Sequence, residues 1–136
     1  MAALTTDRNT PMRDGEVVSL GVAASKRIYA GALVARDAGG YATPGATATG
    51  LVGIGRAEAR ADNTSGADGD MSVEVRKGVF QFANSQGGDA ITTADIGADC
   101  YIVDDQTVAR TDGTGTRSVA GKVFDVDSGG VWVSFR

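Results

Sequence analysis

The clearest pattern of apolar and polar positions runs through Met71, Val73 and Val75, which alternate with Ser72, Glu74 and Arg76. Period two places one face of the segment in a core and the other in water, so it predicts a strand. Past Lys77-Gly78 the apolar parity passes to Phe80 and Phe82. A one-residue slip sends every later side chain to the opposite face, so a bulge or sharp bend is expected at Lys77-Gly78.

Shorter strand signals occupy residues 16–22, 27–29 and 32–35. Asp37-Ala38-Gly39-Gly40 has the composition of a hairpin turn, Tyr41-Ala42 begins the return, and Thr43-Pro44-Gly45-Ala46 reads as a loop. In the apolar segment 51–55, Gly53 and Gly55 predict a bulge or a close backbone approach. Residues 62–70 are dense in turn formers and predict an exposed loop. Three more strands follow at 100–103, 119–124 and 131–135, set off by Asp112-Gly113-Thr114-Gly115 and Asp127-Ser128-Gly129-Gly130. Residues 92–97 are long enough for one helical turn and no more. No segment sustains a 3.6-residue period. The fold class expected is therefore all-β: a small, glycine-rich barrel or sandwich of short strands, with at most one short helical turn.

Two further features organise the chain. Residues 1–14 are polar and aperiodic and predict an extended N-terminal arm, leaving 15–136 as a single β-rich domain or two small lobes sharing a core. There is also an internal echo. Gly31-Ala32-Leu33-Val34, a glycine-rich turn and residues 50–54 are matched loosely by residues 97–103, a second turn and residues 119–123. Two strand-turn-strand units of this kind are a reasonable way to build one barrel.

Composition narrows the function classes. Of 136 residues, 20 are glycine, and the apolar set leans on alanine and valine, which suits short strands and tight turns. The net charge of −4 and the lack of any basic cluster beyond Arg76-Lys77 argue against nucleic acid as a partner. No run of 18 apolar residues predicts a membrane span, and the N-terminus lacks the basic start and apolar stretch of a secretory signal. The expected site of synthesis is a cytoplasm.

Catalytic chemistry finds little to work with. The chain has no histidine, so the commonest general base and the commonest metal ligand are both missing. The single cysteine, Cys100, sits in an apolar segment and reads as a buried small hydrophobe. The carboxylate pairs Asp68/Asp70, Asp104/Asp105 and Asp125/Asp127 stand beside glycines or at loop ends and read as turn formers rather than as a glycosidase pair. The 62–70 loop lacks the closing carboxylate and flanking helices of a calcium hand. Asn63-Thr64-Ser65 fits a glycosylation pattern by coincidence. Trimeric nucleotide pyrophosphatases of the deoxyuridine-triphosphatase type share the chain's length and β character, but their aspartate-bearing nucleotide motifs are missing. No enzyme activity, catalytic residue, metal or cofactor is expected.

One family likeness bears on function. Residues 28–34, then Gly40-Tyr41-Ala42-Thr43-Pro44, Val52-Gly53-Ile54 and residues 73–80, resemble the head decoration, or cement, proteins of tailed bacteriophages, including the lambda-type decoration protein. The likeness implies a structural virion protein on the outer capsid surface, made in the host cytoplasm. It would bind the major capsid protein and cement the shell, as a homotrimer. It also implies that the arm reaches onto the shell, which makes Leu4, Thr5, Thr6, Asp7, Arg8, Met12 and Arg13 the candidate capsid-binding residues. The alternative is a receptor-binding or tail-associated β-domain of a virion. Exposed aromatic clusters would favour it, and Tyr29 and Tyr41 are the candidates.

Overall fold

The structure, a computed structural model, describes residues 2–13 and 15–136. It is all-β. Its strands are β1 (Val17–Gly21), β2 (Lys26–Ile28), β3 (Leu33–Arg36), β4 (Ala42–Pro44), β5 (Val52–Ala57), β6 (Ala61–Asn63) and β7 (Ser72–Arg76). They continue with β8 (Gly78–Asn84), β9 (Asp99–Ile102), β10 (Thr107–Ala109), β11 (Val119–Asp127) and β12 (Gly130–Phe135). The helical turn expected in residues 92–97 is a 3-10 turn at Thr93–Asp95, closed by a reciprocal Thr92/Asp95 capping box, and a second 3-10 turn lies at Gly87–Asp89.

The strands form two main sheets. One runs in the order β1-β7-β5-β3-β4, and its outer strands meet at a single parallel bridge, Val22–Ala42. The other is a closed barrel, β10-β8-β12-β11-β9. A β2-β6 ribbon flanks the first sheet. The expected break at Lys77-Gly78 is where the chain leaves one sheet for the other, since β7 pairs within the first and β8 within the barrel. Gly78 takes φ +149°, a conformation that side chains with a Cβ rarely adopt, and the buried parity changes from Val73 and Val75 to Phe82.

The two sheets are the same design used twice. In the first, β3 pairs with β4 through Ala35↔Thr43 and Arg36↔Ala42; in the barrel, β9 pairs with β10 through Tyr101↔Ala109 and Ile102↔Val108. Leu33↔Arg56 and Val34↔Gly55 recur as Asp99↔Lys122 and Cys100↔Gly121, each followed by a bulge. Arg56↔Arg76 and Ala57↔Val75 recur as Lys122↔Ser134 and Val123↔Val133. Val18↔Val75 and Leu20↔Val73 recur as Phe80↔Val133 and Phe82↔Val131. The closing bridge Val22–Ala42 has its counterpart in Asn84↔Val108. Even the bonds that frame the strands repeat: Gly31 and Ala57 N–H donate to the Ala57 and Ala32 carbonyls, as Gly97 and Val123 donate to Val123 and Ala98. The sequence echo is therefore a structural repeat, and it extends over five strands rather than two.

Each unit has its own core. Val22, Ile28, Val34, Val73 and Val75 belong to the first; Phe82, Ile91, Ile102, Val131 and Val133 belong to the barrel. In each, the linker after the first strand contributes an isoleucine, Ile28 or Ile91. The units are joined through β3, whose side chains alternate: Val34 faces the first core, while Leu33 and Ala35 pack into the barrel cluster. Gly53 is the close approach expected in residues 51–55, because a Cβ there would fall on the Ala120 carbonyl of β11.

Two local readings are corrected, and one strand is new. Thr43 and Pro44 lie in β4 rather than in a loop, and Pro44 is tolerated because, at the end of β4 and away from the Ala42 bridge, its only strand pairing is with Val34 of β3. Asn63 is buried at the end of β6 instead of exposed, and its amide donates to the Val22, Ala23 and Ala67 carbonyls at 3.1, 3.1 and 2.9 Å. β10 was not foreseen, since three residues of mixed polarity carry no periodic signal.

Candidate functional site

The candidate arm residues Leu4, Thr5, Thr6, Asp7, Arg8, Met12 and Arg13 are all exposed; Met1 and Asp14, the ends of the expected arm, lie outside the described residues. Leu4 is 72% and Met12 96% exposed, unusually bare for apolar side chains. The hydrogen bonds of the arm among the described residues are internal, from Arg8 to the Thr10 hydroxyl at 3.1 Å and from the Thr10 amide to the Arg8 carbonyl at 3.1 Å. The sequence pattern brought these residues together only as a segment; the structure does not gather them into a pocket with the body.

The base of the arm is anchored. The Lys77 amide donates to the Glu16 carbonyl at 2.7 Å, and Arg76 pairs with the Glu16 carboxylate at 3.3 Å. Beside it is a recess of about 450 Å³, bounded by Gly15 and Glu16 on one side and by Val79, Ser134 and Phe135 on the other. A larger groove of about 690 Å³ runs between the units, with Leu51, Val52 and Val119 along it and Lys122 and Asp99 paired at 2.7 Å on its rim. Sequence reasoning missed this groove, since period-two parity cannot tell a strand residue facing a neighbouring unit from one facing water.

Several carboxylates are engaged in local structure. Asp62 accepts the Thr64 hydroxyl and amide, at 2.7 and 3.0 Å, and these hold its carboxyl below the usual range. Asp68 caps the Ala24 amide at 2.7 Å and Asp70 the Ala67 amide at 2.9 Å. Asp127 accepts the Trp132 indole N–H at 2.8 Å and the Gly129 amide at 2.8 Å, and its carboxyl is lowered for the same reason. Asp89 binds the Thr111 hydroxyl and Arg117, the latter at 3.2 Å, fastening the 110–117 segment to the turn at Gly87–Asp89. Burial pushes the Cys100 thiol up to about 12, so it stays protonated. Among the described residues no three His, Cys, Asp or Glu side chains gather as a metal site requires.

The aromatic candidates are separate. Tyr29 is half exposed, with the Arg60 guanidinium 5.4 Å from its ring centre, and Tyr41 packs against Gly21, Gly39 and Gly69. A third aromatic, Phe124, is 59% exposed at a bulge in β11 and was not singled out in the sequence. Comparison of the chain with known protein families, curated proteins and solved structures found no match.

Proposed function

We propose that this protein is a structural virion component, a decoration protein that binds the major capsid protein on the outer surface of a tailed-phage shell and cements it, as a homotrimer. The observation that carries the reading is the arm: a segment with two bare apolar side chains, Leu4 and Met12, rooted by Glu16 on a β body. Such a segment suits recognition by strand addition, in which backbone hydrogen bonds on a neighbouring sheet edge supply affinity and a few side chains supply specificity. Ordering it costs roughly 1–2 kcal/mol per residue in backbone entropy, which three arms acting together can offset. The resemblance of residues 28–34 and 73–80 to decoration proteins points the same way.

The test is to mix the full chain with purified expanded heads and, separately, with purified tails. The protein is expected to sediment with heads in multiples of three copies and to raise the temperature at which the heads rupture. Sedimentation with tails alone would instead support the receptor-binding or tail-associated reading.

A further inference from the structure

The repeat provides an internal control for surface chemistry, because the same wall of the same five-strand unit occurs twice in the chain. In the first unit the outward positions of β5 and β7, with the residue after β5, are Arg56, Glu58, Glu74 and Arg76. Three of them form an ion network, Arg56 to Glu58 at 2.7 Å and Arg76 to Glu58 at 3.2 Å, and Glu74 contributes its backbone carbonyl, which accepts the Glu58 N–H at 2.9 Å. This is a wall built for water.

In the barrel the matching register keeps a charge at the Arg56 position, where Lys122 pairs with Asp99 at 2.7 Å, but places Trp132 where Glu74 stands and Ser134 where Arg76 stands. It also adds a residue. Between Val123↔Val133 and Asp125↔Trp132 the register shifts, and Phe124 is the extra residue of that bulge. Val123 and Val133 are buried, so strand alternation points Phe124 outward, where it is 59% exposed. The bulge leaves the next residue, Asp125, exposed as well; in the first unit the position that matches Phe124, just after the end of β5, is Glu58. Ile96, 47% exposed, belongs to the neighbouring turn, which is held to β11 by the Gly97 N–H to Val123 carbonyl bond at 2.8 Å. Val79, 37% exposed, lies opposite Ser134 on β8.

We infer that this wall of the barrel, with Phe124, Trp132, Ile96 and Val79, is a second docking surface, and that its occupant is the same shell subunit that takes the arm. The occupant follows from continuity. Val79 and Ser134 belong both to the wall and to the recess beside Gly15 and Glu16, so the root of the arm adjoins the wall and one partner can reach both. The partner surface that fits is an apolar patch of a folded protein with a polar rim to meet Lys122, Asp125 and Asp127, since aromatic anchors ringed by polar groups are the usual centre of such contacts. The inference rests on the capsid reading for the partner's identity.

The experiment measures binding of the full chain and its variants to purified expanded shells. Phe124→Glu is expected to leave the thermal melt within a few degrees of the parent, because the side chain is exposed, and to weaken shell binding at least about tenfold. Glu74→Gln, at the matching position of the first unit, is expected to change binding less than about twofold. Val79→Glu serves as a second probe of the wall should Phe124→Glu disturb the bulge. If the parent chain binds shells and neither wall variant weakens it, the second surface is overturned while the capsid reading stands. If the parent chain does not bind shells at all, both fall. If the wall variants dissociate the chain's own oligomer in the absence of shells, the occupant is a second copy and the assignment to the shell is wrong.

Discussion

At the scale of single residues, Asp127 shows how a turn former becomes a structural lock. Its two oxygens collect the Trp132 indole, the Gly129 amide and, at 3.1 Å, the Gln81 side chain, so the β11-β12 hairpin is tied to β8. Each of these donors favours the ionised form. A carboxyl whose folded-state pKa is lowered contributes stability above its unfolded value, and that stability is lost as pH falls through the folded value. Glu58 is lowered chiefly by Arg56, Asp62 by Thr64 and Asp89 by Thr111, so the same sign applies to all four. Stability is therefore expected to change little from neutral pH towards the usual aspartate value of 3.8 and to fall below it. Asp127→Asn, followed by thermal melts at a series of pH values, should lower the melting temperature at neutral pH and flatten the acid limb. An unchanged acid limb would show that the lock does not titrate as described.

At the scale of elements, the sequence was legible where water faced one side of a strand and unreadable where another unit did. The alternation from Ser72 to Arg76 and its slip at Lys77-Gly78 located β7, β8 and the break between them, because Val73, Val75 and Phe82 are buried between solvated neighbours; Met71, expected on the buried face, precedes β7 and is 44% exposed. The repeat was audible only as an echo. Its backbone register is kept pair for pair, but side chains at matched positions answer to different surroundings: Leu33 meets the barrel core where Asp99 meets water, and Phe82 stands where Leu20 does. The candidate arm was legible as a segment, and the apolar wall was not, since a phenylalanine at the end of an apolar strand signal reads as core although Phe124 is 59% exposed. Gly53 was legible as a close approach, though not its partner Ala120. Gly53→Val should cost about 1–3 kcal/mol through forced separation of β5 and β11. Denaturant unfolding checks this. A cost near zero would mean that the units can part at that point without loss.

At the scale of the whole molecule, two related β units share a packed junction and carry an arm at one end. The division of labour is physical. The body has buried apolar cores and carboxylates engaged in turns and ion pairs, while the arm has bare apolar side chains. Removing the arm should therefore leave the cores untouched. The one measurement that bears most directly on the arm as the shell-binding element compares the full chain with a chain beginning at Gly15, by thermal melt and by binding to expanded shells. The melts should agree within a few degrees, and shell binding should fall at least about tenfold, about 1.4 kcal/mol. Full retention of binding by the shortened chain, or loss of its folding, would contradict that assignment.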